Sequence, residues 1–201
     1  MADVTWFRAP ADGDPGTLNA CYNALDIHVI RGRADDVALT LAGKERTFAW
    51  LLTEVAACAG VLRAFGVGIG DRVVLGSLPP EEGVLVALAV ARVGAEAAYD
   101  DSPGAEGRVR VGSTDAGVVL TVDDEDVPWD VAMRAGRTDP APCADVPGDA
   151  VLARHRDDVL TVRAALGASD DQKVPVTAGA TLVEVGGVGI WSFGAPEEQA
   201  G

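Results

Sequence analysis

The sequence is poor in the residue types that build metal centres and disulfide frameworks. Its 201 residues include three cysteines and two histidines, His28 and His155. Because Cys21, Cys58 and Cys143 are odd in number, far apart and in no paired spacing, we expect neither a disulfide framework nor a zinc site. With so few imidazole and thiolate ligands, we expect no metal cofactor.

Basic residues are also scarce. Lys and Arg number 16 against 31 Asp and Glu, for a formal net charge of −15. Nucleic acid and anionic membrane surfaces both require a basic face, so we expect neither as a partner, and an anionic ligand would need a local basic cluster. No stretch approaches the roughly 18 consecutive apolar residues of a membrane span, and the N-terminus carries acids where a signal peptide has a basic region. We therefore expect a cytoplasmic protein.

The hydrophobic content, 48% of residues, is sufficient for a folded core, and its periodicity predicts an α/β fold with a mostly parallel sheet flanked by helices. We expect an N-terminal docking segment over residues 1–35, with a helix over 17–30 that Thr17 caps. An α/β unit follows over 36–155, and a divergent β-rich segment and tail over 156–201. After the docking helix we predict a hairpin over 37–50, a helix over 49–66 ended by Gly66, a strand over 71–77, a helix over 79–94 and a strand over 95–99. A loop carrying Arg108 and Arg110 and a strand over 116–122 follow. The last predicted elements are one more strand over 157–166, one or two β-segments over 180–193 and a frayed tail over 195–201.

Two glycine-rich runs, "FGVGIGDRVVLGS" and "GGVGIW", do not fit a phosphate loop. A dinucleotide-binding loop follows a strand and opens a helix, whereas the first run joins a helix to a strand and no helix follows the second. Ser192 lacks the spacing of a nucleophile elbow. The acids from Asp123 to Asp126 lack the spacing of a calcium loop and predict a solvated turn. We interpret His28 as a surface or hydrogen-bonded side chain and His155, between two arginines, as a solvated one.

The stretch "MRAGRTDP" places Arg134 and Arg137 on either side of Ala135 and Gly136. Two guanidiniums around a glycine can offer several donors and an accessible backbone N–H, which suits a phosphate group. The surrounding acids favour a different interpretation, in which the arginines form salt bridges at the surface. The local sequence leaves both interpretations open.

Several stretches together resemble the N-terminal part of short-chain acyl-CoA synthetases, the acetyl- and propionyl-CoA ligase branch of the AMP-binding, adenylate-forming superfamily. The similarity covers roughly residues 4–155 in collinear order. Its most specific features are the Trp-Phe pair and the Leu-Asn-x-x-Tyr-Asn-x-Leu-Asp signature. The stretches are "WFRAP", "TLNACYNALDIHVIRGRADDVALTL", "RTFAWLLTEVAACAGVLRAFGVGIGDRVVL", "PPEEGVLVALAVARVGAEAAY", "AGVVLTVDDE" and "MRAGRTDP".

The resemblance implies a chemistry and a CoA site. Such enzymes activate a carboxylate with ATP to an acyl-adenylate and pass the acyl group to CoA. Their Arg-Ala/Gly-Gly-Arg segment touches the CoA phosphates, which implies a CoA-binding role for Arg134, Ala135, Gly136 and Arg137. A nearby Phe-Gly-Gly of the family is replaced by Tyr99-Asp100-Asp101 here, where two carboxylates would repel a polyanionic ligand.

Other parts of the family's machinery have no counterpart in the sequence. The resemblance places a Ser/Thr-Gly-rich phosphate loop ending in Lys-Gly after the matching region, which ends near residue 155, and we find no such loop. We also find no adenine and magnesium segment and no catalytic-lysine domain, and the two lysines, Lys44 and Lys173, lie in no comparable context. We therefore expect a truncated pseudoenzyme that does not use ATP and acts as a binding or interaction module. A homodimer or a protein partner would cover its exposed sheet edge. The alternatives are a CoA or acyl-CoA sensor that uses Arg134 and Arg137, or one part of a split ligase or a new enzyme.

Overall fold

A computed structural model describes residues 4–41, 43–100, 106–167, 174–175 and 177–193. Asp101, Lys173 and the predicted tail lie outside these residues. The described elements are, in chain order, a π-helical turn (Tyr22–Asp26), α1 (Ile27–Ile30), β1 (Val37–Leu41), β2 (Lys44–Thr47), α2 (Phe48–Ala64), β3 (Arg72–Leu75), α3 (Pro80–Val93), β4 (Glu96–Tyr99), β5 (Val109–Thr114), β6 (Gly117–Val122), β7 (Glu125–Pro128), α4 (Trp129–Gly136), β8 (Val151–His155), β9 (Asp158–Thr161), α5 (Val162–Ala165), β10 (Thr181–Val185) and β11 (Val188–Ser192).

The main sheet has seven strands in the order β7-β6-β5-β3-β4-β8-β9. Its four central strands, β5, β3, β4 and β8, are parallel. Antiparallel strands extend it on both sides, β6 and β7 at one edge and β9 at the other. The predicted α/β class with a mostly parallel central sheet is confirmed, and β1–β2 and β10–β11 form two separate hairpins.

Two long helices account for much of the core. α2 begins where the Thr47 hydroxyl accepts a hydrogen bond from the Trp50 amide at 3.2 Å, and it ends just before Gly66, whose φ is +76°. α3 packs against α2, β4 and β11 and is buried along most of its length, including Arg92 at 6% exposure. Each fully buried Leu or Val contributes roughly 1.5–3 kcal/mol of transfer free energy, so this helix anchors the domain.

The predicted N-terminal helix starts later than expected. Thr17 is not its cap: the Thr17 amide donates to the carbonyl oxygen of Arg8 at 2.9 Å, and its hydroxyl donates to Asp145 at 2.7 Å. The Asn19 side chain takes the capping role, since its Oδ1 accepts from the Tyr22 amide at 3.1 Å. Thr17 was a plausible cap because threonine and asparagine are both favoured there, and the long-range contact with Asp145 decides between them.

A second correction concerns residues 106–122. The expected loop around Arg108 and Arg110 contains a strand, β5, and the predicted strand over 116–122 is its antiparallel hairpin partner β6 rather than a parallel strand. Val109 and Val111 alternate with Arg110, so the apolar side chains face the core while the arginine does not. Of the four acids expected to form a turn, Asp123 and Asp124 do so, with φ of 50° and 65°. The other two, Glu125 and Asp126, belong to β7.

The prediction was also wrong between residues 150 and 166. In place of one strand over 157–166 there are two antiparallel strands, β8 and β9, and the helical turn α5. The Thr161 hydroxyl caps α5 by accepting from the Ala164 amide at 3.2 Å, which turns "VRAAL" from an extended segment into a helical one. The β-segments predicted over 180–193 are confirmed as the hairpin β10–β11.

Candidate functional site

The two arginines of "RAGR" lie at the surface, at the carboxyl end of α4, and each faces a carboxylate. Arg134 has a side chain 77% exposed and lies 3.4 Å from Asp130. Arg137 donates two hydrogen bonds to Glu54 of α2, from Nε at 3.0 Å and from Nη2 at 2.5 Å. These hydrogen bonds raise the pKa of Arg137 above its ordinary value. The salt-bridging arrangement that the acidic surroundings suggested is therefore present.

Gly136, between these arginines, does not present an open backbone donor, as the phosphate interpretation required. It is buried in the contact between α4 and α2. A Cβ on Gly136 would overlap the carbonyl oxygen of Ala57 and lie 2.7 Å from Cγ2 of Val61. Gly60 of α2 faces the carbonyl oxygen of Asp139 in the same way. Glycine is required here because two helices approach closely, and the assignment of these residues to CoA remains a prediction.

A different place in the fold has the position expected of a ligand site. A cavity of about 410 Å³ opens where the parallel strands β3, β4 and β8 end. In open α/β sheets, ligands bind outside the carboxyl ends of the strands, where neighbouring connections leave in opposite directions. From β4 the chain continues to β5, towards one edge of the sheet, and from β8 it continues to β9, towards the other edge. The cavity is lined by Leu75, Gly76, Ser77, Tyr99, Asp100, His155, Arg156 and Phe193.

The aromatic and imidazole side chains of this cavity are fixed by neighbours. His155 was expected to be solvated, but it is half-buried, with Nδ1 2.6 Å from the Thr177 hydroxyl and its ring centroid 4.6 Å from that of Phe193. The Tyr99 hydroxyl donates to the carbonyl oxygen of Trp191 at 2.7 Å, and burial raises the pKa of this phenol. The two flanking arginines predicted that His155 would be solvated. Its neighbours are instead Thr177, before β10, and Phe193, directly after β11.

The end of β8 does not fit an ATP phosphate loop. His155 of β8 pairs directly with Asp158 of β9, so only Arg156 and Asp157 form the connection, with Arg156 at a φ of 54°. A phosphate loop needs a longer run of backbone N–H groups that surrounds the phosphates. In the segment predicted to bind CoA, both arginines face carboxylates, Arg137 closely and Arg134 at 3.4 Å.

A cluster that the sequence analysis missed lies under the N-terminal helix. The side chains of Cys21, Asp26 and Cys143 come together, with one ligand atom of each within 4.8 Å of the others. Arg92 donates to both oxygens of Asp26, at 2.8 and 3.1 Å. The expectation of neither a disulfide framework nor a zinc site followed from sequence spacing. The thiols come together because residues 144–146 pack against the N-terminal segment. His28, by contrast, is satisfied as expected, with Nε2 3.0 Å from the carbonyl oxygen of Gly186.

Residues 27–182 match the sequence model of the family described as "AMP-binding enzyme". The chain belongs to the AMP-binding enzyme family. Among curated relatives in this family, the acetyl-coenzyme A synthetase of Burkholderia thailandensis is 32% identical over 159 residues, which are 74% of this chain and 22% of the relative. The acetyl-coenzyme A synthetase of Rhodopirellula baltica is 40% identical over 91 residues, 40% of this chain and 14% of the relative. The chain thus spans about a fifth or less of these relatives.

Two solved ligase structures share the fold. Coronafacic acid ligase from Pectobacterium brasiliense superposes with a TM-score of 0.55 at 12% identity, covering 75% of this chain and 37% of that one. The anthranilate CoA ligase AuaEII, solved with anthranoyl-AMP, gives a TM-score of 0.52 at 16% identity, covering 68% of this chain and 32% of that one. Among the described residues of this family member, no helix has both the length and the apolar character to span a membrane.

Proposed function

We propose that this chain is an acyl-CoA synthetase-like module that does not form acyl-adenylates by itself and acts by binding, with a protein as its principal partner. The observation that supports this proposal is the two-residue connection between β8 and β9, Arg156–Asp157, at the strand end where the family resemblance leads us to expect the phosphate loop. Adenylation depends on positive charge and preorganised donors around the transferring phosphates, usually with a metal ion. A two-residue turn carries one arginine, but it is too short for the run of backbone N–H groups that surrounds the phosphates in a phosphate loop.

The surface supports a protein partner. Large hydrophobic side chains remain exposed, and two of them, Val37 at 48% and Leu182 at 54%, lie in one groove between β1 and β10. Among the described residues, the main sheet also ends in two edge strands, β7 and β9. Edge strands and apolar grooves of this kind are covered by other chain segments or by partners. We expect a second copy of this chain to be the simplest partner.

The adenylation half of the proposal is tested by ATP–pyrophosphate exchange with acetate or propionate. The purified chain should give exchange no higher than a no-enzyme blank, while the acetyl-coenzyme A synthetase of Burkholderia thailandensis, assayed in parallel, serves as the positive control. Acid-dependent exchange by the purified chain would refute the proposal. Exchange that occurs only after a second protein is added would instead support the split-ligase alternative.

The interaction half is tested by light scattering over a wide range of concentration. An average mass that rises from that of one chain to that of two as the concentration increases supports a homodimer. Leu182→Ser, in the groove, should shift the equilibrium towards monomer. Ile69→Ser, a matched change outside the groove, should not. The proposal would be contradicted if the chain stays monomeric at every concentration and also binds no specific partner protein.

CoA or acyl-CoA binding is a second candidate, and the exposure of Arg134 favours it. The side chain of Arg134 is 77% exposed and lies 3.4 Å from Asp130, a long contact that a phosphate could replace. Calorimetry with CoA at low salt should then show binding that Arg134→Ala weakens. Glu54→Gln, which releases Arg137, should strengthen it. If CoA gives no heat with the wild-type chain or with Glu54→Gln, this candidate fails.

A further inference from the structure

Two of the three cysteines meet in space although 121 residues separate them in the sequence. Cys21 begins the N-terminal helical segment and Cys143 lies between α4 and β8, and their Sγ atoms lie within 4.8 Å of each other and of an Asp26 carboxylate oxygen. The backbone holds this arrangement from both sides. The Leu18 amide donates to the carbonyl oxygen of Val146 at 2.8 Å. The backbone thus holds the two sulfurs next to each other, and an S–S bond of about 2.05 Å requires them to move closer.

A guanidinium completes the cluster. Nη1 of Arg92 lies 3.6 Å from the Cys21 sulfur, and its Nε donates to the carbonyl oxygen of Ala141 at 2.7 Å, which fixes the head group. Its positive charge opposes part of the rise in the pKa of the Cys143 thiol that the other neighbours cause. The same charge disfavours a metal ion, because a cation would have to displace Arg92 from both oxygens of Asp26. The cluster has the composition of a redox pair rather than of a metal site.

We propose that Cys21 and Cys143 form a reversible intramolecular disulfide, with hydrogen peroxide as the oxidant. The Cys143 sulfur attacks one peroxide oxygen, the O–O bond breaks and water leaves, which gives a sulfenic acid. The Cys21 sulfur then attacks the Cys143 sulfur, the S–S bond forms, the S–O bond breaks and a second water leaves. In total the two thiols lose two electrons and two protons, and one peroxide becomes two waters.

Exposure decides the order of these steps. Cys143 is half-buried and reachable from solvent, whereas Cys21 is fully buried and can act only on its neighbour. The hydrogen bond with Cys21 and then burial raise the pKa of the Cys143 thiol, while Arg92 opposes that rise and Asp26 adds to it. Oxidation should therefore be slow near neutral pH and become faster as the pH increases. Cys58 is 1% exposed inside α2 and provides an internal reference.

The test treats the full chain with hydrogen peroxide, denatures it, blocks the remaining thiols with iodoacetamide and measures the intact mass and the peptides. We expect a product with one alkylated thiol, at Cys58, where the untreated chain has three. Once the alkyl groups are subtracted, the product should be lighter than the untreated chain by two hydrogen atoms. A linked peptide should contain Cys21 and Cys143, and dithiothreitol should restore the three thiols. The Cys58→Ser variant should form the same link, and Cys143→Ser should not form it.

The Cys21→Ser variant tests the order of the steps without requiring a disulfide, since dimedone should then trap the sulfenic acid at Cys143. The proposal is overturned if the wild-type chain keeps all its thiols after a peroxide treatment that oxidises free cysteine. A bond that joins two chains, a bond that involves Cys58, or further oxidation of Cys143 with Cys21 still reduced would overturn it as well. So would stoichiometric protection of Cys21 and Cys143 from iodoacetamide by Zn²⁺ alone, which would indicate a metal site.

Discussion

Gly136 of α4 lies directly against the backbone of Ala57 in α2, so closely that a Cβ on Gly136 would overlap the Ala57 carbonyl oxygen. This contact gives the "RAGR" stretch a structural role that does not depend on any ligand. The glycine allows α4 to approach α2, and the approach brings Arg137 within hydrogen-bonding distance of Glu54. The central glycine of this motif could therefore be retained for packing even where CoA is not bound.

The first prediction tests this contact. Gly136→Ala should lower the free energy of unfolding by roughly 2–4 kcal/mol, because the clash involves backbone that cannot move aside without separating the helices. Urea unfolding followed by circular dichroism measures the change. Gly112→Ala is the matched control: a Cβ added there would have no atom of the described residues within 4 Å beyond its own chain neighbours, so it should change stability by less than about 1 kcal/mol. Equal effects of the two substitutions would contradict the packing role.

A second prediction concerns the buried ion pair between Arg92 and Asp26. The side chain of Arg92 is 7% exposed and lies 2.8 Å from Asp26. Arg92→Met should destabilise the fold by roughly 3–5 kcal/mol, because it leaves the Asp26 carboxylate without its partner. Arg63→Met removes an exposed arginine whose ion pair with Asp139 spans 3.0 Å, and should cost about 0–1 kcal/mol. Thermal unfolding of the two variants side by side gives the comparison, and a small loss for Arg92→Met would show that Asp26 is solvated.

A third prediction uses pH. Arg46 donates to both oxygens of Glu81, at 3.1 and 2.9 Å, and these hydrogen bonds hold the pKa of Glu81 below its ordinary value of 4.5. A carboxyl with a lowered folded-state pKa contributes stability above its unfolded pKa and loses it as the pH falls through the folded one. Arg46→Ala should therefore destabilise the chain by about 1 kcal/mol at neutral pH, and this difference should shrink in acid.

The matched control for that prediction is Arg134→Ala, which removes an exposed arginine from the weak contact with Asp130 and should have little effect at any pH. Urea unfolding at neutral and acid pH provides both measurements. A difference between wild type and Arg46→Ala that stays constant as the pH falls would mean that the arginine acts through its position over the Trp50 ring, 3.9 Å from the ring centroid, rather than through Glu81.

Local signals predicted the helices and most central strands well. Gly66 and Gly94 both adopt positive φ at helix ends, as glycine after a helical pattern indicates, and the apolar runs over 71–77 and 95–99 contain β3 and β4. The errors came where a distant contact chose between two local options. Asp145 removed Thr17 from its capping role, and the alternation around Arg110 was too short to separate a strand from a loop.

The candidate site could be predicted only in part, for the same reason. Sequence spacing identified Arg134 and Arg137, but their carboxylate partners include Glu54, on another helix. Nothing local connects Cys21 with Cys143, because their meeting depends on how residues 144–146 pack against the N-terminal segment. The cavity at the strand ends follows from the strand order, which needs the pairing of β4 with β8. The sequence thus identified candidate residues by their type, but it did not show which residues would lie next to them in the fold.

The last prediction joins the third cysteine to the helix contact. Burial, with a smaller contribution from the charge of Glu54, raises the pKa of Cys58 to about 12. In a Cys21→Ser/Cys143→Ser chain, Ellman's reagent at pH 8 should therefore label Cys58 about a thousandfold more slowly than in the unfolded chain, because so little thiolate is present and the thiol is covered. Since Cys58 follows Ala57, the residue that Gly136 contacts, adding Gly136→Ala should loosen this helix contact and accelerate labelling. Adding Gly112→Ala instead should leave the rate unchanged, and a rate that responds equally to both would show that labelling reports global unfolding rather than separation of α2 from α4.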